Sequence, residues 1–211
     1  MRGLRTALVE QRDLAWGTSS RSSRLIHGGL RYLEQGRIRL VLEALRERGV
    51  LLRIAPHLVW PLSFTVPVQR GGHFSRWQLA VGLTLYDLLT LLRNVPRHRM
   101  LGKRGVLEAE PALRERGLVG GARYWDAQCD DARLVIATAR SAMHHGALIG
   151  TYITVRALAT ERGRVVGAMV EDTRTGERGV IQAGVVVNAT GPWTDRLRAL
   201  EHPGTPPLLR V

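Results

Sequence analysis

The sequence predicts an α/β nucleotide-binding domain interrupted by a second region, inserted between about residues 58 and 125. Three observations carry this reading. Leu4–Glu10 is short, mostly apolar and ends in an acid, and a Ser-, Thr- and Gly-dense loop follows and runs into a helix. The last third is β-rich and reaches Val185–Asn188, a run without polar alternation that predicts a strand covered on both faces. Between these ends the order is mixed, as expected of an insert rather than of a regular βαβ series.

Taken in order, Leu4–Glu10 predicts a buried strand, and Trp16–Gly29 a long functional loop. Leu30 to Leu52 carries Leu, Ile and Val at helical spacing with Arg and Glu between, which predicts an amphipathic helix, or two short ones broken near Gly36. Pro56, Pro61 and Pro67 punctuate Leu58–Val68, which fits a strand at a sheet edge. Trp77–Leu92 predicts a second amphipathic helix, Arg93–Arg104 a polar connector, and Val106–Leu113 a short helix stopped near Pro111. Asp130 is placed to N-cap a helix over Ala132–His145, with Gly146 just past its end. Leu148–Val155, Val165–Glu171 and Gly179–Ala183 predict strands, the last two joined by a turn at Thr175-Gly176.

Composition narrows the function class. The net charge is +13, carried by 31 basic residues of which only Lys103 is a lysine. Residues 1–125 hold 21 basic against 9 acidic residues, and residues 126–211 hold 10 against 9. The excess is scattered singly, with no dense basic run and no nucleic-acid motif, so a nucleic-acid partner is not expected. A partly solvated basic face and a basic cleft for phosphorylated ligands both fit. The single cysteine, Cys129, excludes an internal disulfide and reads as structural. The longest apolar stretch, Leu79 to Leu92, is interrupted by Asp87 and is shorter than the ~20 residues a membrane helix needs.

Three features carry candidate chemistry. Glu10 closes a strand, where an acid can accept hydrogen bonds from ribose hydroxyls. Thr18, Ser19, Ser20, Ser22 and Ser23 lead into His27-Gly28-Gly29, and clustered hydroxyls and loop amides at a helix start suit a pyrophosphate. The glycine pair lets a flat ring approach the backbone. Ala189-Thr190-Gly191 follows the last apolar run, and small residues at a strand tip leave room for a ligand. Asp130-Asp131 reads as a helix cap and ion pair, and the adjacent His144-His145 diverge on a helix, so no metal site is expected. Ser20 with His27 lacks the G-x-S-x-G elbow of a hydrolase.

Together these blocks resemble the FAD-dependent glycerol-3-phosphate dehydrogenases. The similarity lies in TALVEQRDLAWGTSSRSSRLIHGGLRYLEQG, LLRIAPHLVWPLSF, YWDAQCDDARLVIATAR and VVVNATGPWTDRL, in that order over essentially the whole chain. Glycerol-3-phosphate oxidases share most of them. The resemblance implies a partial FAD-binding domain, Rossmann-like and of the glutathione-reductase type, with a β-meander and part of an inserted substrate domain. Residues 1–57 and 126–211 would form the FAD-binding parts and 58–125 part of the cap. Glu10 would hold the adenosine ribose of FAD, the Thr18–Ser23 hydroxyls the pyrophosphate and flavin, and Ala189, Thr190 and Gly191 the nucleotide side. His27, Gly28 and Gly29 would lie beside the isoalloxazine ring, with His27 as the base that takes the C2 hydroxyl proton. Arg31 and Tyr32 would face the substrate phosphate and glycerol end.

The implied reaction oxidises sn-glycerol 3-phosphate to dihydroxyacetone phosphate and passes electrons to quinone. An oxidase using oxygen and an inactive basic binding fragment are the alternatives. The expected location is cytoplasmic, with peripheral contact at the inner face of the plasma membrane. The family opens with a strand and a Gly-rich turn, whereas only three residues precede Leu4. The expectation is therefore an internal piece that alone binds FAD weakly or not at all and has no useful turnover.

Overall fold

The computed structural model describes residues 3–90, 95–202 and 204–209. Met1, Arg2, the expected helix residues Leu91 and Leu92, and Arg93 at the start of the expected connector lie outside the described residues. The architecture is mixed α/β and divides into two compact units: Met1–Ser22 with Asp131–Val211, and Ser23–Asp130.

In the first unit, β1 (Ala7–Glu10) pairs in parallel with β6 (Leu148–Thr151), from Ala7 opposite Leu148 to Glu10 opposite Thr151. α5 (Asp131–His144) begins directly after Asp130 and leads into β6. The expected strand Leu148–Val155 is instead broken at Tyr152, whose φ of +60° turns the chain into β7 (Ile153–Glu161). That turn is stitched on both sides. The Tyr152 N–H donates to the Arg12 carbonyl at 3.1 Å, the Tyr152 carbonyl accepts the Thr173 N–H at 2.8 Å, and the Arg174 guanidinium lies 3.6 Å from the ring centre. β7, β8 (Arg164–Asp172) and β9 (Arg178–Gln182) form the expected antiparallel meander. Glu171 accepts from Arg156 and Arg178, each at 2.9 Å, and the Arg156 bond foremost holds its carboxyl below the usual range.

Two burial expectations fail in this unit. Leu4–Glu10 is a strand only from Ala7, and Leu8 is 47% exposed. β6 is the one strand paired with β1 among the described residues, and a two-stranded ribbon cannot cover both its faces. Val185–Asn188 is not a strand, and Val185 and Val187 are 78% and 77% exposed. Among the described residues no strand pairs with that stretch, so its backbone lacks the ladder that an extended run needs.

The second unit is built around β5 (Leu118–Cys129). β3 (Val59–Gln69) runs antiparallel along one edge of it, while β2 (Leu25–Ile26) and β4 (Arg99–Gly102) share the other edge end to end. β3 is thus a sheet edge, which is why Pro61 and Pro67 are tolerated in it. α1 (Leu30–Glu34) and α2 (Ile38–Ile54) are separated where Gly36 takes a φ of +70°. α3 (Arg76–Leu89) starts on a capping box: Ser75 Oγ accepts the Gln78 N–H and Gln78 Oε1 accepts the Ser75 N–H.

The expected polar connector Arg93–Arg104 instead contributes β4 and the start of α4 (Lys103–Ala109). Pairing with β5 overrides its local polarity, and α4 ends before Glu110 because a residue preceding proline, here Pro111, disfavours helix. The core joins Val68, Leu79, Leu83 and Ala122 in one cluster and Val41, Leu45 and Tyr86 in another. Burying Leu45 and Leu83, at 1% and 0% exposure, contributes roughly 1.5–3 kcal/mol each. Among the described residues no helix is long and apolar enough to cross a membrane, and no group of three or more His, Cys, Asp or Glu is arranged to hold a metal.

Candidate active site

The first candidates lie in the unit Met1–Ser22 with Asp131–Val211. Glu10 ends β1, and its Oε1 accepts the Arg12 backbone N–H at 3.0 Å, which shapes the turn leaving the strand. Thr18–Ser20 forms one turn of 3-10 helix. Two hydroxyls are used inside the loop's own framework: Ser20 Oγ donates to the Ala15 carbonyl, and Ser22 Oγ bonds the Asp131 carboxylate. Arg21 donates to the Trp16 carbonyl and, at 3.1 Å, to the Gly17 carbonyl. Thr18 and Ser19 are exposed. Ala15 and Arg24, non-glycine residues at φ +61° and +57°, bracket the loop, and strain of this kind persists only where surrounding contacts hold it.

At the other end of the unit, Asn188 Oδ1 accepts from the Thr190 N–H at 3.2 Å and from Thr190 Oγ1 at 2.7 Å. This turn carries Ala189, Thr190 and Gly191 into a 3-10 turn over Gly191–Trp193, ahead of α6 (Thr194–Glu201). The two stretches meet. Trp16, Gly17, Thr18, Arg21, Pro192 and Trp193 line one pocket of about 330 Å³. The indoles of Trp16 and Trp193 lie 6.1 Å apart with a 34° tilt, and the guanidinium groups of Arg12 and Arg21 lie 4.1 and 5.0 Å from the Trp16 ring. A Cβ on Gly17 would lie 3.0 Å from the Trp193 ring, so a larger residue there would have to push that ring back by a few tenths of an ångström. Both guanidinium groups thus lie over the Trp16 ring, and the pocket sets indole surface and positive charge side by side.

The remaining candidates, Ser23, His27, Gly28, Gly29, Arg31 and Tyr32, lie in the unit Ser23–Asp130. Ser23 is exposed, and Leu25 and Ile26 pair with Gln128 and Ala127 on β5. His27 is exposed, while Gly28 and Gly29 beside it are buried. The Gly28 N–H donates to Asp126 Oδ1 at 2.9 Å. Gly29, at φ +75°, caps α1 and so presents Arg31 and Tyr32, both exposed, on the first turn. A Cβ on Gly28 would lie 2.1 Å from Leu45 Cδ2 and 2.2 Å from the Tyr86 hydroxyl.

Asp126 Oδ1 also accepts from the Tyr86 hydroxyl at 2.9 Å and from Arg48 Nη1. Burial, then the Asp126 charge, pushes the Tyr86 phenol far above its ordinary pKa. The same causes push Tyr124 up to about 12.

Sequence reasoning missed two sets of residues. Trp16, Arg21, Pro192 and Trp193 build the pocket, although Glu10, Ser19, Ser20, Ser22, Ala189, Thr190 and Gly191 do not line it. Arg48, Tyr86 and Asp126 underlie Gly28. Their signal was a charge on the apolar stripe Val41, Leu45, Arg48 and an acid inside the buried strand WDAQC. A second depression of about 520 Å³ is lined by Lys103, Arg104, Leu107, Glu108 and Glu115. Its charges are already paired, Lys103 with Glu115 at 3.0 Å and Arg104 with Glu108 at 2.7 Å, which leaves little to attract an anion.

The sequence pattern of the DAO family, described as FAD dependent oxidoreductase, matches residues 1–211. A glycerol-3-phosphate dehydrogenase of Mycobacterium leprae is 48% identical over 200 residues, covering 94% of this chain and 34% of the relative. An alpha-glycerophosphate oxidase of Streptococcus pyogenes is 41% identical over 208 residues, covering 97% of this chain and 34% of the relative. The crystal structure of the glycerol-3-phosphate dehydrogenase from Bacillus halodurans complexed with FAD superposes with a TM-score of 0.72 at 32% identity, covering 95% of this chain and 32% of that one. The chain thus spans about a third of the length of these curated relatives.

Proposed function

The chain belongs to the DAO family of FAD dependent oxidoreductases, and on that premise we propose that it forms part of an enzyme oxidising sn-glycerol 3-phosphate to dihydroxyacetone phosphate. The observation that carries the proposal is the pocket shared by Trp16, Gly17, Thr18 and Arg21 with Pro192 and Trp193. Its indole surface and guanidinium charge suit the rings and phosphates of FAD, and the Mycobacterium leprae and Bacillus halodurans relatives bear glycerol-3-phosphate in their names.

When bound, FAD supplies the hydride acceptor. This chain's residues would do the rest. Glu10 accepts from the adenosine ribose. Thr18, Ser19, Ser20, Ser22 and Ser23 line the pyrophosphate and the flavin, with Arg21 adding positive charge. Ala189, Thr190 and Gly191 cover the nucleotide side. Arg31 forks onto the substrate phosphate, and the Tyr32 hydroxyl donates to the glycerol end. His27 takes the proton of the C2 hydroxyl. Its exposure beside two buried glycines supports this role, because the ring is open to a ligand while the backbone under it is held.

The organisation proposed with this function is an FAD-binding domain from residues 1–57 and 126–211, with 58–125 belonging to the substrate cap. β1 and the Gly191–Trp193 turn share one compact unit, which supports joining the two ends of the chain, while residues 23–57 and 126–130 pack in one unit with 58–125. The electron acceptor proposed is quinone, at the inner face of the plasma membrane. The outward face of α3, where Trp77, Val81, Leu85 and Leu88 are exposed, supports peripheral contact there. The oxidase reading has its own support in the Streptococcus pyogenes relative. Peroxide release during turnover separates the two. In the full-length protein, His27→Asn is expected to collapse turnover while flavin absorbance is kept. Near-normal turnover would remove His27 from the base role.

A further inference from the structure

Arg48, Tyr86 and Asp126 lie on α2, α3 and β5, are at most 2% exposed, and meet at one carboxylate oxygen, which in turn holds a backbone amide. Asp126 Oδ1 receives the Gly28 N–H, the Tyr86 hydroxyl and Arg48 Nη1, and Arg48 Nη1 lies 3.2 Å from the Tyr86 oxygen. Stability alone is a weak account of this trio. A buried ion pair gives back most of its attraction as desolvation cost, and apolar residues of similar volume hold a core as well or better. An apolar trio cannot accept an N–H in a set direction.

The accepted N–H is that of Gly28, between exposed His27 and Gly29, which caps the turn presenting Arg31 and Tyr32. β2 fixes the segment on its other side through Leu25 and Ile26. The backbone that carries the proposed base is therefore held from β5 at both its N-terminal and its central residues.

We propose that Asp126, oriented by Arg48 and Tyr86, is a positioning residue that sets the backbone of His27–Gly28–Gly29 and thereby the direction in which His27 and the first turn of α1 meet the substrate. The proposal rests on the reading of His27 as the base. It adds that the site's geometry is controlled from beneath by a network that touches neither substrate nor FAD.

Two variants test it. Tyr86→Phe removes one donor and keeps the Arg48–Asp126 pair. Asp126→Asn keeps an acceptor oxygen for Gly28 and removes the charge. Amide hydrogen exchange is followed at Gly28 and Gly29 and, as an internal reference, along β5 in the full chain. Steady-state kinetics with glycerol 3-phosphate are measured on the holoenzyme. Exchange at Gly28 and Gly29 is expected to rise about tenfold relative to β5, and kcat to fall about tenfold with KM within about twofold, since misplacing a reacting group costs rate more than binding. Exchange that rises equally throughout the unit, or not at all, would show a structural role only and overturn the proposal. An unchanged kcat would overturn it as well. Should Asp126→Asn fail to fold, Tyr86→Phe decides. The two readings fail separately. Normal turnover in His27→Asn removes the base while the Gly28 exchange result stands. Lost turnover in His27→Asn with unaltered Gly28 exchange and kcat in Tyr86→Phe removes the positioning role alone.

Discussion

Gly28→Ala is the most economical probe of how tightly the unit Ser23–Asp130 is built. The added methyl would sit 2.1 Å from Leu45 Cδ2, 2.2 Å from the Tyr86 oxygen and 2.8 Å from Tyr86 Cζ. Neither neighbour can retreat easily, since Leu45 and Tyr86 are each 1% exposed and belong to one core cluster with Val41. Overpacking of this kind costs about 1–3 kcal/mol. Pushing the Tyr86 hydroxyl off Asp126 adds about 1–3 kcal/mol for a buried polar group left poorly bonded. The sum, about 4 kcal/mol, corresponds to a melting temperature roughly 15–30 °C lower for a unit of this size.

Thermal unfolding followed by near-ultraviolet circular dichroism reads the effect directly, because Tyr86, Tyr124 and Trp125 all lie in the unit. Gly36→Ala is the matched control. Its φ of +70° is strained for alanine, but nothing lies within 4 Å of the new methyl. It should cost only about 1 kcal/mol. A Gly28→Ala protein melting within a few degrees of the parent, or no lower than Gly36→Ala, would refute the packing argument.

Other expectations follow from the same geometry. Tyr124 is raised from 10.0 to about 12 and Tyr86 further, so their neutral forms contribute stability that is complete below pH 10 and lost as pH rises toward and past 12. Denaturant titrations across that window should show a stability loss that is smaller in Tyr124→Phe. Asp195 has the opposite sign: the N–H groups of Leu208 and Leu209, then Arg198, lower its pKa. Its contribution is present above the ordinary aspartate range and is lost as pH falls through the lowered value. Protection factors at Leu208 and Leu209, taken against the intrinsic exchange rate at each pH, should fall on acidification, and Asp195→Asn should abolish that dependence. Trp193→Ala removes one wall of the pocket and should weaken FAD binding about tenfold, measured by equilibrium dialysis, while the meander keeps its circular dichroism.

Local chemistry was the legible part of this fold. The helix break at Gly36, the edge position of a strand holding Pro61 and Pro67 and the turn at Thr175-Gly176 each follow from a residue type acting on its own backbone, and the helix expected after Asp130 begins there. What the sequence hid depends on distant partners. Arg99–Gly102 becomes a strand only because β5 lies beside it. Leu8, Val185 and Val187 read as core but stand exposed, since apolarity reports a preference for burial and not the presence of a covering layer. In the site, the hydroxyl-rich loop and the segment before α6 do share a pocket, yet its walls are tryptophans and an arginine. Ser20 and Ser22 direct their hydroxyls at the loop's own framework. The contact between Asp126 and Gly28 spans 98 positions, beyond the reach of any periodicity.

The central place of β5 also dictates an order of events during synthesis. β2, β3 and β4 all precede β5 in the chain, and each is hydrogen-bonded to β5 and to no other strand among the described residues. Until Leu118–Cys129 has left the ribosome, three extended segments wait with open edges, among them the eleven-residue β3. Assembly of that sheet is therefore a late, long-range closure, and it favours slow folding and a need for chaperone shielding of the nascent chain. A stop anywhere before residue 118 would release strands without their common partner.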